Sequence, residues 1–340
     1  MIKRKIRVLV VDDSVVFREA IIRGISTDSD IEVVARAMDA FDARDKIIEY
    51  KPDVMTCDVE MPKMSGIEFI RRLLPQYSIP VIVVSGLNDN VFDAMDAGAV
   101  DFVAKPADKS PANMQTFLGE LITKIKIAAS SKVKSSRPSG TKNITHEMNF
   151  SKDNIIAIGA STGGTEALCT ILMQLPKNIP GIVVVQHIPP MFSKMFSERL
   201  NNQTQLYVKE AQNGDFVEPG KVLIAPGDQQ MKIKKIGDKY KVIVNYAEKV
   251  NGHCPSVDVL FDSVAKEAGE NALGVILTGM GYDGARGLLT MRRKGAKTIG
   301  QDEKSCVVYG MPKAAFDVGA VSKQASLSSI PQVIINLLRI

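Results

Sequence analysis

Cysteine and histidine are scarce in this chain, and long apolar runs are missing. The 340 residues hold four cysteines, Cys57, Cys169, Cys254 and Cys306, scattered without metal-ligand spacing. An even count with no signal peptide reads as reduced thiols rather than disulfides. Zinc held through His253-Cys254 has little support. No apolar run approaches the roughly 20 residues needed to cross a bilayer. The N-terminus Met1-Ile2-Lys3-Arg4-Lys5 lacks the apolar segment of a signal peptide. The expectation is a cytoplasmic protein that is not integral to a membrane. Charge of one sign is also lacking: 43 basic residues face 38 acidic ones, a net +5. Nothing in that balance calls for a polyanion, and no nucleic-acid partner is expected.

The length suffices for two domains, each able to bury its own core. No internal repeat stands out beyond a recurring alternation of strands and helices, which in both halves predicts parallel sheets covered by helices. Between the halves, residues 128–142 abandon periodicity for serine, lysine, proline and glycine, the composition of a flexible linker. Met114 to Ile127, with apolar residues at helical spacing, reads as the last helix before it. The boundaries expected are 1–126, a linker over 127–152, and 153–340.

In the second half, the run from Ile155 breaks at Gly159-Ala160-Ser161-Thr162-Gly163-Gly164 and resumes as a helix. A sharp strand-to-helix turn of this kind exposes a serine hydroxyl to attack a carbonyl and offers backbone N–H groups to an oxyanion. Gly159 and Gly163 permit the tight backbone. A phosphate-cradling loop reads equally well from the motif alone, although the spacing is not G-x-G-x-x-G and no Walker lysine follows. The next apolar run, Ile182 to Gln186, ends on His187, placing an imidazole at a strand's C-terminal edge, where open α/β sheets bind ligands. The other two histidines lie in a polar linker (His146) and in the loop Asn251-Gly252-His253-Cys254-Pro255. A third run, Ala272 to Thr278, leads into Gly279-Met280-Gly281-Tyr282-Asp283-Gly284. The bland role for Asp283 is a helix N-cap worth about 1 kcal/mol, which is compatible with orienting the histidine. Three strand ends would then bring Ser161, His187 and Asp283 together as nucleophile, base and acid, in a chain order unlike that of ordinary α/β-hydrolases.

In the first half, Ile6 to Val11 ends on Asp12-Asp13, Val54 to Cys57 ends on Asp58, Pro80 to Val84 ends on Ser85, and Asp101 to Ala104 ends on Lys105-Pro106. Carboxylates crowded at neighbouring strand ends need a cation, and hard oxygen ligands suit Mg²⁺. Acids, a hydroxyl and an ammonium are the groups needed to place a phosphoryl group on a carboxylate.

This set, with Asp58-Val59-Glu60-Met61-Pro62-Lys63-Met64-Ser65-Gly66, resembles the receiver domain of response regulators. The resemblance implies a flavodoxin-like five-stranded fold with Asp58 as phosphoacceptor. It also implies Mg²⁺ among Asp12, Asp13, Asp58 and the backbone carbonyl of Glu60, and Ser85, Lys105 and Phe102 as the residues that sense the phosphoryl group. With a receiver in front, the Ser161, Gln186-His187 and Met280–Asp283 motifs are similar to the chemotaxis protein-glutamate methylesterase family. The match runs over nearly the whole chain; the linker and the loops around Tyr207 to Tyr246 carry the variation. Membership implies a C-terminal doubly wound, mainly parallel α/β hydrolase-type domain with a Ser161-His187-Asp283 triad and no cofactor for the esterase. It implies removal of methyl esters from glutamates of methyl-accepting chemotaxis receptors, deamidation of selected receptor glutamines, and a chemotaxis histidine kinase as phosphodonor. The oxyanion would rest on N–H groups of Thr162 and Gly163, joined by Met280. The unmodified receiver is expected to block the hydrolase and the phosphorylated one to release it. Two other classes compete: a nucleotide-dependent enzyme binding phosphate at the Ser161 loop, and a DNA-binding output, against which the absence of a short basic helical reader speaks.

Overall fold

Runs of four to seven residues, apolar in the main, become the parallel strands of two sheets, one in each half of the chain, and most of the chemistry-bearing residues named above sit where those runs stop. The computed structural model describes residues 4–86, 91–108, 110–130 and 149–340. The chain divides into two units, one ending at Arg137 and the other beginning at Pro138.

The first unit alternates β1 (Ile6–Val11), α1 (Val15–Ile25), β2 (Ile31–Ala37), α2 (Ala40–Tyr50), β3 (Val54–Asp58), α3 (Gly66–Leu73), β4 (Val81–Ser85), α4 (Val91–Asp96), β5 (Asp101–Ala104) and α5 (Pro111–Ser130). Its five-stranded sheet has the order β2-β1-β3-β4-β5, with every pair parallel. That order reverses between β1 and β3, the switch point where doubly wound sheets open a crevice at their carboxyl ends. Asp12-Asp13 and Asp58 lie on either side of it. The α5 helix outruns the expected Met114–Ile127 at both ends. Pro111 suits a first helical turn, and Ala128 and Ala129, strong helix formers, carry it on to Ser130. Most of the expected linker, residues 131–148, lies outside the described residues.

The second unit starts earlier than expected, since Phe150 bridges Arg339 and Ile340 donates to Asn149 O at 3.2 Å. It runs β6 (Ile155–Ala160), α6 (Gly164–Leu172), β7 (Ile182–Gln186), α7 (Phe192–Gln203), β8 (Tyr207–Glu210), β9 (Phe216–Val217), β10 (Lys221–Ile224), β11 (Gln230–Ile236), β12 (Lys239–Asn245), α8 (Val257–Glu267), β13 (Ala272–Ile276), α9 (Ala285–Arg293), β14 (Lys297–Gln301), α10 (Met311–Asp317), β15 (Lys323–Ala325) and α11 (Ile330–Leu338). Seven parallel strands take the order β15-β14-β13-β6-β7-β10-β8. Ile155 and Ala157 on one face of β6 join a buried cluster with Val257, Phe261 and Val264 of α8. Ile156 and Ile158 on the opposite face are fully buried as well, so helices cover both sides. The switch point here falls between β6 and β13, the strands that precede Ser161 and Asp283.

Tyr207 to Tyr246 is not a set of loops. It carries five strands, three of which form a separate antiparallel sheet in the order β11-β12-β9. Alternation explains it: Met231 and Ile233 are buried while Lys232 and Lys234 face solvent, the period of a half-buried strand. Met231, Ile233 and Val242 enter the same cluster as α8. Among the described residues, no helix is long and apolar enough to cross a membrane.

Candidate active site

Ser161 follows β6 directly and opens a three-residue turn into α6. Its N–H donates to Thr278 O at 3.0 Å, and its own carbonyl accepts from Gly164 N at 2.7 Å. The helix begins behind Gly163, whose φ of 74° is left-handed and whose place a β-carbon would hold only 2.6 Å from Val307 Cγ2. The neighbouring strand end comes just as close: a β-carbon at Gly279 would stand 2.6 Å from Ser161 Cβ. These two glycines let the serine turn pass between the β13 loop and the 307–310 segment. Gly159 has a different job from the one expected, since its backbone is ordinary strand and its missing side chain makes room for Val257. Thr278 Oγ1 donates to Thr162 O at 3.0 Å and accepts from Val308 N at 2.9 Å, tying the turn to both neighbours.

His187 follows β7 in register with Ser161, because Ala160 pairs with Gln186 and His187 N donates to Ala160 O at 3.0 Å. Gln186 Nε2 bridges the two strand ends, reaching Ser161 O at 2.9 Å and His187 O at 3.0 Å. The imidazole is only 9% exposed, and its Nε2 lies 2.9 Å from Asp283 Oδ2. Its Nδ1 is buried without a hydrogen-bond partner. Among the described residues the Ser161 hydroxyl makes no side-chain hydrogen bond, so the histidine–aspartate pair is joined while the serine stands beside it at the next strand end.

Asp283 does not cap its own helix, for α9 starts behind Gly284 with no side-chain cap. It caps α8 instead. Oδ2 accepts from Val257 N at 2.7 Å, and Oδ1 accepts from Asp258 N at 3.2 Å, from Ser256 Oγ at 2.7 Å and from Asn251 Nδ2 at 2.8 Å. A helix N-terminus favours an anion there. Burial acts to raise the Asp283 pKa, but the hydrogen bonds from His187, Asn251 and Ser256 outweigh it and hold the carboxyl well below the usual range. The ring nitrogen facing this carboxylate is therefore the N–H, leaving Nδ1 with the lone pair.

Asn251, Ser256 and Asp258 were not singled out by the sequence, and neither was Gln186 by itself. The Asn-Gly pair at 251–252 was the one available signal, since it marks a tight turn between strands. Thr162 is buried and Met280 is 48% exposed. Among the described residues the amides of Thr162 and Gly163 enter no backbone hydrogen bond, whereas that of Ser161 is committed to Thr278.

In the first unit the expected acids do meet. Asp12, Asp13 and Asp58 each bring a carboxylate oxygen within 4.8 Å of the others, an all-oxygen set that fits a hard cation such as Mg²⁺. Lys105 Nζ lies 2.6 Å from Asp58 Oδ2 and 3.0 Å from Asp12 Oδ2. Burial raises the Asp58 carboxyl to about 6 in spite of that ammonium. Glu60 donates its N–H to Asp58 Oδ1 at 3.2 Å. Ser85 is buried at the end of β4, and the Lys105 amide donates to its carbonyl at 2.7 Å. Phe102 is buried on β5, edge-on to Phe92 with ring centroids 5.9 Å apart.

Comparison with known proteins follows the same division. Residues 156–334 match the CheB methylesterase family and residues 8–114 the response regulator receiver domain. A protein-glutamate methylesterase/protein-glutamine glutaminase of Syntrophomonas wolfei is 56% identical over 335 residues, 98% of each chain. One from Salmonella typhimurium is 45% identical over 96% of this chain and 95% of its own. The CheB methylesterase catalytic domain of Thermotoga maritima, 40% identical, superposes with a TM-score of 0.53 over 54% of this chain and 98% of that one. The chain thus belongs to the CheB methylesterase family, with a response regulator receiver domain in front of the hydrolase.

Proposed function

We propose that this chain removes methyl groups from glutamate γ-methyl esters of methyl-accepting chemotaxis receptors, with Ser161, His187 and Asp283 as the reacting set. The observation that carries the reading is the His187 Nε2–Asp283 Oδ2 contact of 2.9 Å at the strand end beside Ser161. Asp283 fixes the N–H on Nε2, so His187 Nδ1 takes the proton from Ser161 as its Oγ attacks the ester carbonyl. The two ring nitrogens thereby exchange the roles they hold in the serine-protease arrangement. The amides of Thr162 and Gly163, with the Met280 loop, hold the oxyanion. When the carbon–methoxy bond breaks, His187 returns the proton and methanol leaves. Water then attacks the γ-glutamyl-serine ester, gives a proton to Nδ1, and releases glutamate and the free hydroxyl. A receptor glutamine enters by the same attack, with ammonia leaving instead.

The receiver supplies control. A histidine kinase of the chemotaxis system is the phosphodonor and Asp58 the acceptor, with Asp12, Asp13, Asp58 and the Glu60 carbonyl holding Mg²⁺. The cation supplies charge neutralisation for the incoming phosphoryl oxygens. Lys105 and Ser85 face those oxygens, and Phe102 answers their arrival. The hydrolase stays slow until Asp58 is modified. Methanol release from methylated receptor, measured with and without a small phosphodonor, tests both parts. Ser161→Ala should abolish release while Asp58 still takes up phosphate; near-normal release would remove Ser161 as nucleophile. Asp58→Asn should ignore the phosphodonor. A chain lacking residues 1–140 that hydrolyses more slowly than the intact unmodified enzyme would argue against restraint by the receiver.

A further inference from the structure

His253, set aside in the sequence as a loop residue, lies flat against His187. The ring centroids are 3.7 Å apart and the planes differ by 9°. A single hydrogen bond through Nε2 anchors one corner of the His187 ring but leaves the plane free to turn about that bond, and Nδ1 has no hydrogen-bond partner to stop it. A second ring stacked on the face does stop it, and so sets the direction of the Nδ1 lone pair.

The stacking ring is itself firmly held. Val250 and His253 exchange both backbone hydrogen bonds at 2.9 Å, closing a turn whose two central residues, Asn251 (φ 54°) and Gly252 (φ 84°), lie in the left-handed region that a type I′ turn requires. Gln230 Nε2 donates to His253 O at 3.3 Å. The same turn delivers Asn251 to Asp283. One four-residue loop therefore grips the base from two directions, at its edge through the acid and on its face through a ring.

We infer that His253 is a positioning residue: its ring fixes the plane of His187 so that Nδ1 is aimed at the Ser161 hydroxyl, an inference that rests on the reading of Ser161 and His187 given above. A stacked partner has to stay uncharged when His187 becomes an imidazolium, since two cations face to face would repel. Burial and the nearby His187, with Lys249 adding to them and Asp283 opposing, bring the His253 pKa down to about 4. At neutral pH the ring is a neutral π surface, which attracts a cation on its face.

Stacking needs a flat aromatic ring and no proton, and that separates it from acid–base catalysis. Full-length His253→Ala and His253→Gln should lose kcat by about tenfold or more, the cost of a misaimed group, with KM for methylated receptor nearly unchanged and thermal midpoints close to the parent. His253→Phe and His253→Tyr should recover most of kcat, and either one that folds decides the point. Imidazole ¹⁵N–¹H spectra of the full chain give a second reading that does not depend on turnover: His187 should keep its ordered Nε2–H signal in the aromatic variants and lose it in His253→Ala. Parent-like kcat in His253→Ala would overturn the inference, as would aromatic variants as slow as alanine, which would mark a proton-transfer role. If Ser161→Ala retains turnover, the nucleophile is wrong, and the spectra still report whether His253 orders His187.

Discussion

Asn251 donates its side-chain amide to Asp283 Oδ1 at 2.8 Å, and the same nitrogen stands 2.8 Å from Asp258 Oδ2. One –NH₂ group thus separates two buried carboxylates that would otherwise face each other. Burial raises the Asp258 carboxyl, and the hydrogen bonds from Gly287 N and Asn251 offset part of that. Asn251→Gly removes the amide yet keeps the left-handed turn free of strain. It should lower stability by about 2 kcal/mol, as expected for hydrogen bonds to charged groups, and cut kcat severalfold. Denaturant unfolding and methanol release check the pair; an unchanged midpoint would show that the bridge adds nothing.

Asp283→Asn keeps shape and loses charge. Both oxygens of Asp283 face donors, from His187, Val257, Ser256, Asn251 and Asp258, so an amide –NH₂ meets a donor whichever way it turns. By analogy with the corresponding change in serine proteases, kcat should fall about 10³–10⁴-fold. The pH dependence of stability should change too. The folded carboxyl is held below the usual range, while the unfolded one takes up its proton near pH 4. The stabilisation is complete above about pH 5 and drains away as pH falls through the folded value. Acid unfolding of Asp283→Asn should be shallower than that of the parent; parallel curves would refute the assignment.

The halves of this site differ in how openly the sequence displayed them. Ser161, His187 and Asp283 were legible because each ends an apolar run, and a parallel strand delivers its last residue to one edge of the sheet. The same logic disclosed Asp12, Asp58, Ser85 and Lys105. What surrounds them was hidden. Nothing in the spacing of Asn251, Ser256 and Asp258 says that they converge on residue 283, since the contacts depend on α8 presenting its N-terminus to the end of β13. Asp283 reads as a cap for the helix that follows it, and only the fold reveals that it caps another. The β11–β12 sheet was overlooked because its lysine-rich exposed face hid a period of two.

Lys105 sits between Asp58 and Asp12, at 2.6 and 3.0 Å. Lys105→Met leaves two buried acids uncompensated, a change that costs about 3–5 kcal/mol in comparable pairs. Mg²⁺ can supply the missing charge. The thermal midpoint of the first unit should therefore drop in the variant without Mg²⁺, and the rise on adding Mg²⁺ should exceed that of the parent. No Mg²⁺ response in either protein would mean that the acid cluster holds no cation.

Gly159 tests how rigidly the acid is seated. A β-carbon there would lie 2.2 Å from Val257 Cγ1, and the Val257 amide donates to Asp283 Oδ2 at 2.7 Å. Gly159→Ala must push the first turn of α8 away from β6, and Asp283 with it. The overpacking should cost about 1–3 kcal/mol and lower kcat together with stability. Trimming the neighbour relieves the collision, so Gly159→Ala/Val257→Ala should be more stable and faster than Gly159→Ala alone, with a coupling of about 0.5–3 kcal/mol between the two sites. Additive losses would show that the methyl at 159 is absorbed elsewhere, and that the start of α8 does not transmit strain to the acid.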